Sequence, residues 1–576
     1  MLNRRRWIKG MAIAAAGCLR RPFSASGFSF AATPGNSPRF VDVAKEAGLT
    51  SRTVLLGHES KDFLLSTTGG GIALFDYDND GWLDIFVVNG WGLKDFPKGE
   101  EPTNRLYRNN HNGTFTNVTE KAGLVRHGWG QGVCVGDYDN DGNLDLFVTY
   151  YGRNVLYHNN GNGAFTDVTR ESGLLQPEEH WNTGAAFLDY NRDGHLDLFV
   201  SNYVDFEYGT KLYESNPALV GQQSPVIYGV AGLKGTRNFL YRNNRDGTFT
   251  DVSDSAGISK AAPTYGFTPC VADYDNDGWP DIYVANDSTP SLLFVNNHNG
   301  TFRENGMLAG VAYDANGRTQ GGMGADSADY DGDGLLDIVK TNFSDEMPSL
   351  YHNQGNAFFT DVTASAGLAG ETGSVKWGTG FMDFDDDGQP DLLIVSGSIY
   401  PPGSGMHHEL PKTESKLILL RNLDGHRFAN ISDQAGPAFL ESRCGRGAAF
   451  GDIFNTGRMG VVVNNLNDYP GLLRNQSPSK NSWLLVKLLG TTTNRAAIGS
   501  QVVVLANNRR QVQEVRSGGS FCSQNDLRLH FGLGTAKEAR VQVRWLGGAE
   551  ETLEHVAANR LVVVQQGKGI IQQEAF

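Results

Sequence analysis

The nine residues Asp76-Tyr77-Asp78-Asn79-Asp80-Gly81-Trp82-Leu83-Asp84, followed at once by Ile85-Phe86-Val87-Val88, restrict this chain more than any other stretch. Asp stands at the first, third, fifth and ninth places and Gly at the sixth. A hard divalent cation takes several oxygen ligands at once, and a tight turn with Gly at its sharpest point lets so few residues supply them. The same spacing recurs at Asp137/Asp139/Asp141/Asp145, Asp189/Asn191/Asp193/Asp197, Asp273/Asp275/Asp277/Asp281, Asp329/Asp331/Asp333/Asp337 and Asp383/Asp385/Asp387/Asp391. Gly142, Gly194, Gly278, Gly334 and Gly388 hold the sixth place each time. One acidic turn is weak evidence, since solvated acidic turns need no metal. Six in register point to a repeat array and to about six structural calcium ions, because three or four carboxylates on so short a turn repel one another without a cation.

These loops are not EF-hands. An EF-hand closes with a bidentate Glu at the twelfth place, between two helices. Here that place holds Val87, Val148, Val200, Val284, Lys340 or Ile394, inside β-type apolar runs. The ninth-place Asp must act as the closing ligand, and each loop is expected to join two strands.

A second motif alternates with the first. Leu106–Val118, Leu156–Val168, Leu240–Val252, Leu293–Glu304, Leu350–Val362 and Leu420–Ile431 each place two short β-type runs around an Asn/Gly-rich turn, the pattern of a hairpin. Each unit therefore counts as four strands, the size of a propeller blade. A degenerate seventh unit follows: Gly447–Asp452, then Val461-Val462-Val463-Asn464 and Leu472-Leu473-Arg474-Asn475. Its loop keeps Asp452 but has Phe454, Thr456 and Gly460 at the third, fifth and ninth places, so no calcium is expected there. It also lacks a fourth strand. The missing one stands at the other end of the chain, where Phe40–Leu49 matches Phe165–Leu174. The expected fold is all-β: a seven-bladed β-propeller over 33–476 whose N-terminal strand closes the last blade and removes exposed edges. A linker at 477–482 leads to a small β-sandwich-like domain over 483–576, read from the alternation in Val502–Leu505, Val541–Trp545 and Leu561–Val564.

At this point a resemblance can be named. The repeats resemble the FG-GAP/VCBS family, whose calcium-loop propeller also forms the head of integrin α subunits. Ser482-Trp483-Leu484, Asn494–Gly499, Ser517–Gln524, Leu529–Gly534 and Val543-Arg544-Trp545 resemble the ASPIC/UnbV domain. Together they resemble the bacterial members of the cartilage acidic protein (CRTAC) family. The resemblance implies calcium binding and an extracellular setting, and no general enzymatic activity. Asn191 at a third place and the degenerate seventh loop depart from the family pattern.

Charge and composition bound the partners. A formal net charge of −15 argues against nucleic acid. Residues 1–32 hold Arg4, Arg5, Arg6, Lys9, Arg20 and Arg21 and no acid, and Arg4-Arg5-Arg6-Trp7-Ile8 followed by a short apolar segment fits a twin-arginine export signal. Ala15-Ala16-Gly17-Cys18 resembles a lipobox, so Cys18 could carry a lipid anchor; cleavage near Gly27 or Ala31 is the alternative. No stretch is long and apolar enough for a membrane helix. The expected location is therefore periplasmic, extracellular or outer-surface. Of the five cysteines, Cys134 and Cys270 are expected buried and free, and a Cys444–Cys522 disulfide stays open.

The Asp loops and the Asn/Gly turns share one end of the blades. The long insertions, Tyr203–Arg237 and Ser398–Ser415, fall at the other, and there Trp129, Trp181, Tyr265 and Trp377 begin inner strands. These aromatics either fill the funnel beside Gly130, Gly184, Gly266 and Gly378 or form a ligand platform. His407-His408-Glu409, in the second insertion, is a His/Glu cluster with no partner placed by the sequence. The functional expectation is adhesion or recognition of a protein or glycan ligand through the long-loop face. The alternative is an exported enzyme acting there on polysaccharide or a small substrate.

Overall fold

The inner strands are rich in small residues, and the second strands are apolar on both faces in every blade but the fifth, which carries Lys340, because each sheet is covered by a neighbour on either side. In the computed structural model, which describes residues 38–54, 65, 67–91, 101–207, 230, 232–399 and 415–576, this patterning yields seven four-stranded antiparallel blades. The innermost strands are Ile72–Phe75, Trp129–Gly136, His180–Leu188, Gly266–Ala272, Gly322–Ala328, Lys376–Met382 and Gly445–Gly451. Each Asp loop joins an innermost strand to the second strand of the same blade. Blades two and three also share a sheet edge, through Trp181 opposite Tyr151 and His180 opposite Gly152. The export signal, Cys18, His407-His408-Glu409 and most of both long insertions lie outside the described residues.

The ring closes as expected. Phe40–Asp42 pairs antiparallel with Gly471–Asn475, Phe40 opposite Asn475 and Asp42 opposite Leu473. Phe40 is fully buried against Phe384 and Phe439.

A belt of asparagines ties each blade to the one before it. The third strands of blades two to seven end in Asn159, Asn243, Asn296, Asn353, Asn422 and Asn475. Their side-chain amides donate to the carbonyls of Tyr77, Tyr138, Tyr190, Tyr274, Tyr330 and Phe384 at 2.8–2.9 Å, each at the second place of the preceding blade's Asp loop. Asn109 completes the circuit on Ile453 O at 3.1 Å. Buried carbonyls in loops demand such partners.

The C-terminal domain is a sandwich of two four-stranded sheets. Leu484, Val486, Val502, Val504, Val541 and Val562 fill the space between them. The domain sits on the Asp-loop end of the propeller and sends Ser517–Gln524 into its axis, an arrangement the sequence did not disclose. The inner strands present backbone groups to that axis with no strand to pair with, and the inserted turn satisfies them. Gln524 N–H donates to Ile72 O (2.9 Å), Leu74 N–H to Gln524 O (3.0 Å), Val133 N–H to Cys522 O (3.1 Å) and Ala325 N–H to Ser520 O (2.7 Å). Ser520 Oγ accepts from Thr379 N–H, and Cys522 N–H donates to Thr268 Oγ1. Gly71 and Gly324 face the plug so closely that a Cβ on either would collide with its backbone, at Cys522 O and Ser520 O.

Phe521, at the tip of the plug, reaches the aromatics at the far end. Its ring lies 5.5 Å from that of Phe267 and 5.0 Å from that of Trp377, in a cluster with Trp181, Tyr265 and Met323. This corrects the platform alternative. Trp181, Tyr265 and Trp377 are 1%, 8% and 1% exposed and fill the funnel, because Phe521 enters it from behind. Trp129 is half-buried against Tyr151. Cys134, Cys270, Cys444 and Cys522 are all free thiols, so the Cys444–Cys522 bridge is not formed. No helix among the described residues is long and apolar enough to cross a membrane.

Candidate metal centres

Each Asp loop is shaped by the carboxylates at its two ends. The first-place Asp accepts from the backbone N–H groups of the fifth and sixth residues: Asp76 from Asp80 and Gly81, Asp137 from Asp141 and Gly142, Asp189 from Asp193 and Gly194, Asp273 from Asp277 and Gly278, and Asp383 from Asp387 and Gly388, all at 2.7–3.1 Å. The sixth-place glycines sit at φ from +85° to +98°, where an L side chain is strained.

The ninth-place Asp is the structural hub. Asp84, Asp145, Asp197, Asp281, Asp337 and Asp391 are at most 2% exposed. One oxygen accepts the belt Asn backbone N–H at 2.8 Å in every case, and the other accepts the second-place N–H at 3.1–3.4 Å. The ninth place therefore ties the loop to the third strand.

Between these ends the third- and fifth-place carboxylates converge. Ligand atoms of Asp76/Asp78/Asp84, Asp137/Asp139/Asp141, Asp139/Asp145/His158, Asp273/Asp275/Asp281 and Asp331/Asp333/His352 lie within 4.8 Å of one another, so blades one, two, four and five each bring together a group that could hold a metal ion. Buried oxygens of Asp78, Asp275, Asp329 and Asp385 lack a hydrogen-bond partner. A carboxylate oxygen shut away from water without a donor is costly unless a cation meets it. The same conflict appears in the acidities. Desolvation first, and neighbouring Asp charges among the other causes, push Asp84 up to about 9 and Asp137, Asp189 and Asp329 up to about 7. Metal charge would hold these groups ionised. The donor set fits a divalent cation.

Not every loop faces its carboxylates alone. In blade six the Arg421 guanidinium lies 2.6 Å from Asp385 and 3.7 Å from Asp387. In blade three, Asn191 stands at the third place and Arg245 reaches Asp193 at 2.9 Å. The C-terminal domain adds Arg544 on Asp273 at 2.5 Å and Lys487 at 4.0 Å from Asp76, while Arg495 N–H donates to Asn140 in the second loop. In the seventh loop Asp452 still accepts from Thr456 and Gly457 N–H groups, as a first-place Asp does. There Arg528 supplies the positive charge: it donates to Asn455 Oδ1 at 2.9 Å and Asp452 O at 3.0 Å while forking onto Asp526. The sequence exposed the acidic loops; of the basic groups answering them, Arg421 and Arg245 belong to the propeller and Arg544, Lys487 and Arg528 to the other domain, and no local spacing announces the latter.

A propeller with an Asp loop in each blade and a sandwich seated over those loops defines an architectural class, and the comparisons with known proteins agree with it. An FG-GAP-like repeat model matches residues 76–148, 137–200, 228–284, 273–340 and 329–394, and an ASPIC and UnbV model matches 490–571. The chain belongs to the FG-GAP-like repeat family and carries an ASPIC/UnbV domain. It is 26% identical to cartilage acidic protein 1 of Mus musculus over 503 residues, covering 83% of this chain and 70% of that protein. Against cartilage acidic protein 1 of Homo sapiens it is 26% identical over 504 residues, covering 83% and 69%. Among solved structures, an Agrocybe aegerita lectin that recognises non-reducing terminal N-acetylglucosamine aligns at TM-score 0.37 and 16% identity, over 65% of this chain and 82% of that one. The V. cholerae biofilm matrix protein Bap1 aligns at TM-score 0.37 and 12% identity, over 77% and 92%. At these scores neither carries a functional argument.

Proposed function

We propose that this protein is exported, that its six complete Asp loops bind calcium as structural ions, and that it recognises a protein or glycan ligand through the long-loop end of the propeller. The observation that carries the last step is the placement of the C-terminal domain. It covers the Asp-loop end, with Arg544, Lys487, Arg495 and Arg528 directed at the loops, and its Ser517–Gln524 turn fills the axis. A partner is left with the opposite end, where the long insertions of blades three and six leave the ring. Calcium is the ion favoured by sites built of carboxylate oxygens on turns, and millimolar calcium outside the cell fills even weak ones.

The test is to block each end in turn. In a Cys444→Ser background, Glu178→Cys places a maleimide-polymer attachment point at the exposed start of the third inner strand, and Lys568→Cys places one on the C-terminal domain. On glycan and matrix-protein arrays, the polymer at position 178 is expected to abolish binding and the polymer at 568 to leave it intact. The reverse pattern would overturn the assignment of the face. Breakdown of an arrayed glycan, in place of retention on it, would favour the enzyme alternative.

A further inference from the structure

Blades two and five differ from the others in one donor. The residue before each belt Asn is Arg108, His158, Arg242, Val295, His352, Arg421 or Arg474 in turn. Only the two histidines bring imidazole nitrogen into an Asp loop from this position. His158 Nδ1 lies 3.3 Å from Asp139 Oδ2 and 3.5 Å from Asp145 Oδ1. His352 Nδ1 lies 3.3 Å from Asp331 Oδ2 and 3.1 Å from Asp337 Oδ1. The His352 Nδ1–Asp337 Oδ1 contact is a hydrogen bond in the metal-free geometry. Two donors held at about 2.1 Å by a common metal stand about 3.0–3.4 Å apart in octahedral or tetrahedral geometry, so an ion could enter with little movement of these groups.

Two further observations, one on an imidazole and one on a buried carboxylate outside the proposed ligand set, point the same way. His158 Nδ1 is shut off from solvent and lacks a well-formed hydrogen bond. In blade five Asp329, at 4% exposure, has both carboxylate oxygens buried without a well-formed hydrogen bond, with the Gly334 N–H acting on it from the backbone, and its charged neighbours are Asp337, Asp333 and Asp331. Alone among the six complete loops, the first-place Asp here makes no well-formed bond to the fifth- and sixth-place N–H groups, so its oxygens stay available to an ion. His111 and His298 do not make equivalent sites. They stack on Trp82 and Trp279, lie half-open to solvent and touch only the outer carboxylates of Asp80 and Asp277.

We propose that blades two and five hold mixed nitrogen–oxygen sites, His158 with Asp139 and Asp145 and His352 with Asp331 and Asp337, that take a divalent transition ion of the zinc or cobalt class in preference to calcium. Imidazole suits these borderline ions and adds nothing for calcium, which binds oxygen. The inference rests on the Asp loops being metal sites. It would make the propeller a mixed-metal ring.

Cobalt(II) is the probe, because its visible absorption reports imidazole and carboxylate ligation. The full chain is equilibrated with millimolar calcium and a small excess of cobalt, desalted, and counted by atomic emission. About two cobalt ions per chain are expected to remain beside calcium. His158→Gln and His352→Gln should each remove one cobalt and its absorption band, and the double variant both, with the calcium-dependent melting shift unchanged. Cobalt retention indifferent to these substitutions would overturn the proposal. So would a chain that binds calcium, gains stability from it and keeps no cobalt, which leaves the calcium reading standing. A chain that binds neither metal and melts alike with and without them would take down both.

Discussion

Lys340 occupies the twelfth place of the fifth loop, where five other blades carry Val or Ile. It is 1% exposed; its amino group donates to Gln320 Oε1 at 3.0 Å and sits 5.8 Å from the Tyr351 ring centre. Burial pushes its pKa down to about 8, against which Glu346 pulls upward. The free chain holds its lysine proton to about 10.4. Between those values the unfolded state binds a proton that the folded state has released, so stability rises with pH across this window, and the full cost of the buried charge is present below pH 8. Lys340→Met should therefore raise the melting temperature at pH 7, by the equivalent of about 1–3 kcal/mol, with the gain shrinking towards pH 10. Gln320 keeps its bond from Ser349, so the variant orphans no acceptor. A gain that is absent at pH 7, or equal at both pH values, would contradict this account. Residue-level legibility was uneven. The Asp loops were plain from spacing alone. The belt asparagines were not, because Asn beside a Gly-rich turn reads as turn chemistry. Their amides act on carbonyls some 80 to 105 residues away, as with Asn159 on Tyr77 and Asn243 on Tyr138, and only ring closure brings these together.

At the scale of one element, the seventh Asp loop shows how a first-place Asp is answered when the other three carboxylates are missing. Its third, fifth and ninth places are Phe454, Thr456 and Gly460, and the cation that answers Asp452 is Arg528 of the other domain. Arg528 and Asp526 are 7% and 4% exposed in their side chains and bonded through two contacts. Removing one member of a buried ion pair leaves the other uncompensated, at a cost of about 3–5 kcal/mol. Arg528→Ala is expected to lower the melting temperature by several degrees in calcium-saturated protein, measured by calorimetry, whereas Arg540→Ala on the exposed Glu554 pair should change it little. Equal effects of the two substitutions would mean that Arg528 does not latch the domains. The sequence showed that this loop had lost its ligands and that Phe40–Asp42 would complete its blade. It held no sign of the substitute charge, because the donor lies 76 residues on, in the C-terminal domain.

For the whole molecule, the seven units and the C-terminal sandwich were legible because their apolar periods are local. The docking was not. Ser517-Gly518-Gly519-Ser520-Phe521 reads as a small polar turn, and its partners are inner-strand backbone groups with no side-chain signature. The same insertion explains why the sequence left four aromatics at strand starts open between funnel packing and a ligand platform: Phe521, the ring that packs among three of them, comes from far along the chain. Because the domains share an axial plug and a face of Asp loops, cations bound on that face are expected to stabilise the entire chain. The most direct measurement is calcium content by atomic emission, with calorimetric melting in transition-metal-free buffer, before and after chelation. The account predicts about six calcium ions per chain, one transition for both domains, and a fall of at least ten degrees on chelation. Little bound calcium together with an unchanged melting temperature would contradict it.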